Sequence, residues 1–410
     1  MHNMQDAPVR KVLFTDDFVQ NPYPAYRRLL DEGPLHYLDV GGMWAVWAVF
    51  GYAECSAVAK DPRLSAKRAE RFVITLPMNK RAEFADLVGM LGLWMIFMDP
   101  PEHSRLRKLM NKGFSREAIE TLRPQIEGIV DRMLEPLQHC SEAELMREFA
   151  YTMPVRVISE MLGVPETMHE SFLRWSAAIA AFNGSANRTI EQAAAAQKAV
   201  HALTDFFRGA VAERRRHKTD DFLSFLLAIE EEGEVLTEEE LYAQCVMMLF
   251  AGHETTRNLI GNGIYALLQH SEKMHELHDD PGLIRTAVEE LLRYESPIQY
   301  TARVVKEEME ICGRRIPQRQ TILCMLGAAN RDAKQFKEPD RLDLKRLNNQ
   351  HLAFSAGPHF CIGSQLARLE GQIAILQLVR RFPQMRLAVQ QPEWSPNVGF
   401  RGLKTLPVTL

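Results

Sequence analysis

Cys361 stands in a string whose residue types suit sulfur chemistry: Phe354-Ser355-Ala356-Gly357-Pro358-His359-Phe360-Cys361-Ile362-Gly363, continuing to Leu366-Ala367-Arg368. Gly357 and Gly363 bracket the cysteine. Glycine lets the backbone approach a bulky flat ligand and accepts positive φ. Pro358 removes one backbone donor and stiffens the loop. A helical pattern resumes after Gly363. That places the sulfur just before a helix N-terminus, where the dipole and free amides favour its anion. Such a thiolate suits metal ligation, its electron donation tuned by nearby donors. A bare Cys-x-Gly fits an ordinary buried cysteine better; the ten-residue string favours a ligand.

A second group lies inside an otherwise apolar helix: Ala251-Gly252-His253-Glu254-Thr255-Thr256. Glycine costs about 1 kcal/mol there relative to alanine. A threonine hydroxyl can bond back to a carbonyl one turn earlier and loosen the helix. The chemical reading is a groove for oxygen beside an acid–alcohol pair, Glu254 and Thr255, that delivers protons. A kink used only for packing is the alternative.

Two further sets hold charges. Glu290 and Arg293 lie three apart on one helical face; alone, they make only a surface ion pair worth about 0–1 kcal/mol. His103 and Arg107 lie four apart, just after Pro100-Pro101, and Arg303 follows Ser296-Pro297. The planar fork of arginine matches carboxylates, although each of these residues taken singly also reads as a solvated surface charge.

The elements that must position these groups are mainly helical. Helical periodicity dominates from about Pro101 to Glu295. Its clearest element begins at Thr237-Glu238-Glu239-Glu240, with Thr237 as N-cap and Glu240 as capping-box partner. It runs to about Gln269, roughly 45–50 Å at 1.5 Å per residue. Its apolar run from Cys245 to Phe250 predicts a path through the middle of the protein. Strand-like stretches flank the helical region at Leu35 to Phe50, with Gly41-Gly42 as a turn, at Glu310 to Leu326, and after Met385. No linker or repeat is visible, so residues 1–410 read as one domain.

Bulk properties exclude several classes. A net charge of −4 gives no reason to expect nucleic acid or an anionic membrane as partner. The longest apolar runs fall far short of the roughly 20 residues of a membrane span, and Met1 to Lys11 lack the apolar core of a signal peptide. A cytoplasmic location is therefore expected. None of the six cysteines forms a CxxC pair. The five besides Cys361 read as small buried hydrophobes.

The Cys361 string closely resembles the haem-binding loop of the cytochromes P-450. The other sets match the same family in order and spacing, from Asn21-Pro22-Tyr23-Pro24 through Asn330-Arg331-Asp332. The resemblance implies the family's α+β fold: a helical body, a small β lobe, and haem b between the long central helix and the Cys361 loop. It implies Cys361 as proximal iron ligand, with Gly363 in the haem loop and Phe354 packed near the sulfur. His103, Arg107, Arg303 and His359 are implied as propionate contacts. Ala251 and Gly252 would give dioxygen room, Thr255 would be the alcohol beside it, and Glu254 the acid that feeds protons. His253 would orient its neighbours. Glu290, Arg293 and Arg341 would form a structural triad; leucine follows Arg341 where the family usually has phenylalanine.

The implied activity is insertion of one oxygen atom from O2 into a hydrophobic metabolite. The Gly-His-Glu-Thr-Thr version resembles members that tailor polyketide-like secondary metabolites. No dinucleotide loop or cysteine cluster is fused to the chain. A separate ferredoxin and its reductase are therefore expected, docking near Arg105, Lys108 and Lys112, with the enzyme itself a monomer. The substrate pocket is expected from the Phe72–Phe97 and Phe172–Asn187 segments, Met247 to Ala251, Ile298 to Thr301, and around Val398. Two other functions remain open at this point. One is a peroxide-using or radical-coupling haem-thiolate enzyme. The other is a haem sensor or electron carrier, which would have no use for an acid–alcohol pair.

Overall fold

Thr237 starts the element around which the others pack. Its hydroxyl accepts from the Glu240 amide at 3.1 Å, and the Glu240 carboxylate accepts from the Thr237 amide at 3.0 Å. The expected capping box is present, and the helix spans Glu238–Gln269 without interruption through Gly252. It is buried on most sides, from Glu240 to Phe250 and again from Asn258 to Gly263. An amphipathic surface helix would show one apolar stripe; this one is a core helix.

The computed structural model describes residues 15–39, 45–185, 188–219, 221–231 and 236–410. The central helix packs against the helices Met153–Met161, His169–Gly184, Ile190–Arg216, Ile284–Tyr294 and Ser364–Arg381. Close approach to the last requires glycine: a Cβ at Gly371 would lie 2.9 Å from Leu259 Cδ2. The helix carrying the oxygen-side residues is thereby locked to the one that follows Cys361.

Among the described residues ten strands complete the fold: β1 Leu35–Asp39, β2 Ala45–Val49, β3 Leu64–Ser65, β4 Glu142–Glu144, β5 Thr301–Val305, β6 Met309–Ile311, β7 Arg314–Ile316, β8 Thr321–Cys324, β9 Arg386–Leu387 and β10 Pro407–Thr409. The main sheet has the order β1-β2-β8-β5-β3, with β2 parallel to β8 and its other pairs antiparallel. Smaller sheets are β4-β10-β9 and β6-β7. All three strand-like stretches read from sequence hold strands, although the Gly41-Gly42 turn lies outside the described residues, as do Met1 to Lys11. Strand β5 was not anticipated, and it matters. Strand alternation puts Thr301 and Arg303 on one face, and both line the central cavity.

The helical core and two apolar clusters on opposite faces of the main sheet, one around Cys55, Ile322 and Cys324 and one around Tyr26, Phe50 and Met325, hold the body together. Cys55, Cys245 and Cys324 are buried as expected, but Cys140 and Cys312 are exposed. Both sit beside turns at element ends, so their burial was overestimated. Among the described residues, no helix is long and apolar enough to cross a membrane.

Thr237→Ala removes the side-chain half of the capping box. A loss of about 1 kcal/mol is expected, read as a lower thermal midpoint with an unchanged far-ultraviolet circular dichroism spectrum at 20 °C.

Candidate active site

A cavity of about 690 Å³ lies between the central helix and the Cys361 loop. The helix contributes Met247, Met248, Phe250, Ala251, Gly252 and Thr255; the loop contributes Phe354, His359, Cys361, Ile362 and Gly363. The expected substrate-side segments also reach it, through Phe72, Met95, Phe97, Asn183, Ile298 and Phe400. Gln244 fixes part of that wall. Its amide accepts from the Met95 amide at 3.1 Å and donates to the Leu93 carbonyl at 2.7 Å.

The Cys361 loop is held from its own backbone. The Cys361 amide donates to the Phe354 carbonyl at 3.0 Å. Gly357 has φ +70, and a Cβ there would sit 2.8 Å from the Ala59 carbonyl oxygen, so only glycine serves. Gly363 differs: its φ is −79, and a Cβ there would meet nothing within 4 Å. Its requirement is therefore space in front of it rather than backbone torsion. Burial raises the Cys361 thiol above its usual value, and this outweighs the lowering by the Gly363 amide, Arg107 and Arg368. The helix start alone does not make the sulfur anionic; a cation bound at the sulfur would.

A cluster of basic side chains faces the same cavity. His103, Arg107, Arg303 and His359 all line it, as the sequence suggested, and Arg68 joins them. The rings of His103 and His359 lie 4.1 Å apart. Burial, with Arg303, His103, Arg68 and Arg107, drives His359 down to about 2. Burial and Arg303 bring Arg68 down to about 9. His103 Nδ1 and Arg303 Nη2 are buried with no hydrogen-bond partner. The one carboxyl among the described lining residues, Glu370, is held protonated by burial. Buried charges need partners. This set calls for a ligand that carries more than one carboxylate into an apolar space beside a sulfur. A flat dianionic haem fits those conditions, including the open space at Gly363. Arg68 was missed because Lys67-Arg68 reads as a solvated pair; only its packing under Phe97, 4.5 Å from the ring centre, reveals it.

The acid–alcohol pair is divided. Thr255 lines the cavity and its hydroxyl donates to the Ala251 carbonyl at 2.8 Å, the back-bond anticipated from sequence. Glu254 is buried but bonded to Arg257 Nη1 at 3.1 Å. His253 Nε2 donates to the Tyr151 carbonyl at 2.9 Å. Burial, then Arg257, lowers His253 to about 3. It is therefore neutral, so Nδ1 accepts from the Ser176 hydroxyl at 2.8 Å. His253 ties three elements together, as expected.

The triad needs one correction. Glu290 and Arg293 are fully buried and joined by two 2.8 Å bonds. The third partner is Arg346, whose Nε lies 3.1 and 3.0 Å from the two Glu290 oxygens. The Arg341 side chain is exposed and pairs with Glu338; only its carbonyl serves the network, accepting from Arg293 and Arg346 at 3.1 Å each. A second brace, unread in the sequence, lies next door. Glu289 binds Arg368 at 2.6 and 2.9 Å and His351 at 3.1 Å, and Arg368 stacks 4.5 Å from the centre of Phe354. Burial pushes the Glu289 carboxyl up, but these hydrogen bonds win and hold it at about 2. Arg105, Lys108 and Lys112 share the exposed side of the Glu102–Gly113 helix, with Arg105 paired to Glu240.

The cytochrome P450 family model matches residues 77–281 and 282–400. The chain belongs to that family. It is 41% identical over 404 residues to the vitamin D(3) 25-hydroxylase of Pseudonocardia autotrophica, covering 97% of this chain and 96% of that protein. The polyketide biosynthesis cytochrome P450 PksS of Bacillus subtilis is 36% identical over 400 residues, covering 96% and 97%. The crystal structure of P450BioI with hexadec-9Z-enoic acid ligated acyl carrier protein superposes with a TM-score of 0.89 at 38% identity, covering 96% of this chain and 99% of that one. The protein is a haem-thiolate monooxygenase.

Two substitutions separate the arginines. Arg346→Ala leaves the Glu290 carboxylate underpaired in the interior, a loss of about 3–5 kcal/mol; Arg341→Ala leaves the thermal midpoint and haem content unchanged. Equal effects of the two on the thermal midpoint would contradict this assignment.

Proposed function

We propose that Cys361 ligates the iron of haem b in this cavity, and that the enzyme inserts one oxygen atom from O2 into a long or bulky apolar metabolite of polyketide type. The observation that carries this is the meeting of three features on one apolar cavity: the Cys361 sulfur, the unbalanced cationic cluster and the Thr255 hydroxyl. When bound, the haem supplies dioxygen activation, its thiolate pushing electron density so as to favour O–O cleavage.

The chain's own residues do the rest. Arg303 and Arg107 neutralise the propionates, His103 and His359 donate hydrogen bonds to them as neutral rings, and Arg68 is a fifth contact. Phe354 packs beside the sulfur under the Arg368 guanidinium, and Gly363 and Ala251 leave room on either side of the ring. The Thr255 hydroxyl, turned from the Ala251 carbonyl toward the cavity, donates a hydrogen bond there. Glu254, released from Arg257, moves protons toward that hydroxyl. Met, Phe and Ile side chains exclude water from the reacting centre. Glu290, Arg293 and Arg346 hold the meander that leads into the loop.

Electrons come from a separate ferredoxin and its reductase, met by Lys108 and Lys112, with the enzyme monomeric and cytoplasmic. The intact acid–alcohol pair favours O2 over peroxide as oxidant. A relative named for polyketide biosynthesis and another crystallised with an acyl-bound carrier protein support an extended apolar substrate.

The test uses a probe substrate selected by its spin-state shift from a panel of polyketides and fatty acids. In Thr255→Ala, product per electron pair falls severalfold while electron consumption continues. In Glu254→Gln, turnover slows about 10²-fold. Unchanged coupling in Thr255→Ala would remove the hydroxyl from proton delivery.

A further inference from the structure

With the cationic cluster assigned to the propionates, two further guanidinium groups line the cavity; Arg71 is taken up by Thr321 Oγ1 and the Arg319 carbonyl, and Arg188 keeps a free edge. Arg188 follows the His169–Gly184 helix and lines the cavity. Its planar group lies over two rings, 4.7 Å from the centre of Phe72 and 5.6 Å from that of Phe182. Nε donates to the Phe182 carbonyl at 2.9 Å and Nη2 to the Asn183 carbonyl at 3.0 Å. No carboxylate among the described residues pairs with it. Nη1 and one Nη2 proton are left over, which is the edge of the guanidinium that binds a carboxylate through two parallel hydrogen bonds.

Its surroundings are those of a site built for an anion. Asn183 lines the cavity beside it, and its side-chain Oδ1 is buried without a partner; amide oxygen and nitrogen are interchangeable by a flip, so the group can donate. Tyr300 also lines the cavity. Burial raises the Tyr300 phenol while Arg188 and then Arg68 lower it, so the ring stands within reach of both charges. Burial lowers Arg188 itself, and only Tyr300 opposes this. The charges acting on His359 are Arg303, His103, Arg68 and Arg107, without Arg188. Arg188 is held by its own set of contacts, the Phe72 and Phe182 rings and the Phe182 and Asn183 carbonyls, and its free edge calls for an anion of its own. The aromatic faces hold it in place before that anion arrives. The rest of the wall near it, Phe72, Phe97 and Ile298, is apolar.

We propose that the preferred substrate is an amphipathic carboxylic acid, its carboxylate bound by Arg188 with Asn183 and Tyr300 and its apolar chain extended toward the haem. This rests on the monooxygenase reading and names the substrate class for it. An acyl chain held as a thioester, the form a carrier protein offers, presents no carboxylate and would gain nothing from Arg188.

The haem-loaded enzyme is titrated with palmitic acid, methyl palmitate and cetyl alcohol, following the haem spin state and, in parallel, heat by calorimetry. The acid is expected to bind at least about tenfold more tightly than either neutral ligand, the range of one charge-assisted bond. Arg188→Gln removes that preference and leaves the ester and alcohol unaffected. Tyr300→Phe weakens the acid alone, and serves if Arg188→Gln loses haem. Failure of the acid to bind, equal affinity for acid and ester, or equal loss for all three ligands in Arg188→Gln overturns the anion site. Neutral ligands that still shift the spin state leave the monooxygenase reading standing. Calorimetric binding with no spin change by any ligand would count against that reading instead.

Discussion

A sulfur that must be anionic at the edge of an apolar cavity is the constraint on which this molecule is organised. Burial by itself favours the neutral Cys361 thiol, and one amide and two arginines do not reverse that. The anion is viable only where a metal cation shares its charge. The cavity extends the same logic. The guanidinium groups of Arg68, Arg107 and Arg303, with His103 and His359 held toward their neutral forms by burial, face a space whose one described carboxyl is protonated, so neither half of the site balances alone. In the proposed assignment a haem would supply iron for the sulfur and propionates for the cations. Cofactor and protein complete each other electrostatically, and the apolar surroundings strengthen every one of those interactions.

Holding that arrangement falls to buried ion pairs away from the cavity. Glu290, Arg293 and Arg346 have all their charge satisfied inside the protein, with carbonyls of Asn330, Pro339 and Arg341 completing the donors of Arg293. Such a network adds little to net stability, because desolvation offsets attraction. What it does is fix one path for the chain that enters the Cys361 loop. Glu289, Arg368 and His351 extend the brace to Phe354, whose carbonyl accepts from the Cys361 amide. The two adjacent glutamates on one helix therefore support the loop at two different points.

Much of this was legible in the chain, where local chemistry decides the outcome. The Thr237 capping box fixed the start of the central helix, and the Thr255 back-bond followed from residue type and helical spacing. The Cys361 string identified its own loop. Elsewhere the path of irregular backbone decided. Arg341 and Arg346 are both within reach of Glu290 by sequence, and the coil between them turns the nearer side chain outward while its carbonyl faces in. Arg68 and Arg188 carried no periodic or motif signal. Their burial depends on aromatic rings brought from Phe72, Phe97 and Phe182, which sit far from one another in the chain. Glu254 was read as an acid that feeds protons from solvent, and its partner Arg257, one turn along the same helix, was not considered.

The central claim is that Cys361 gives its sulfur to the haem iron. The absorbance of the reduced, carbon monoxide-bound protein tests it most directly. A Soret band at the long-wavelength position of thiolate haem, lost in Cys361→Ser with haem still bound, is the result this account predicts. A band at the shorter wavelength of histidine-ligated haem in the unaltered protein would contradict it.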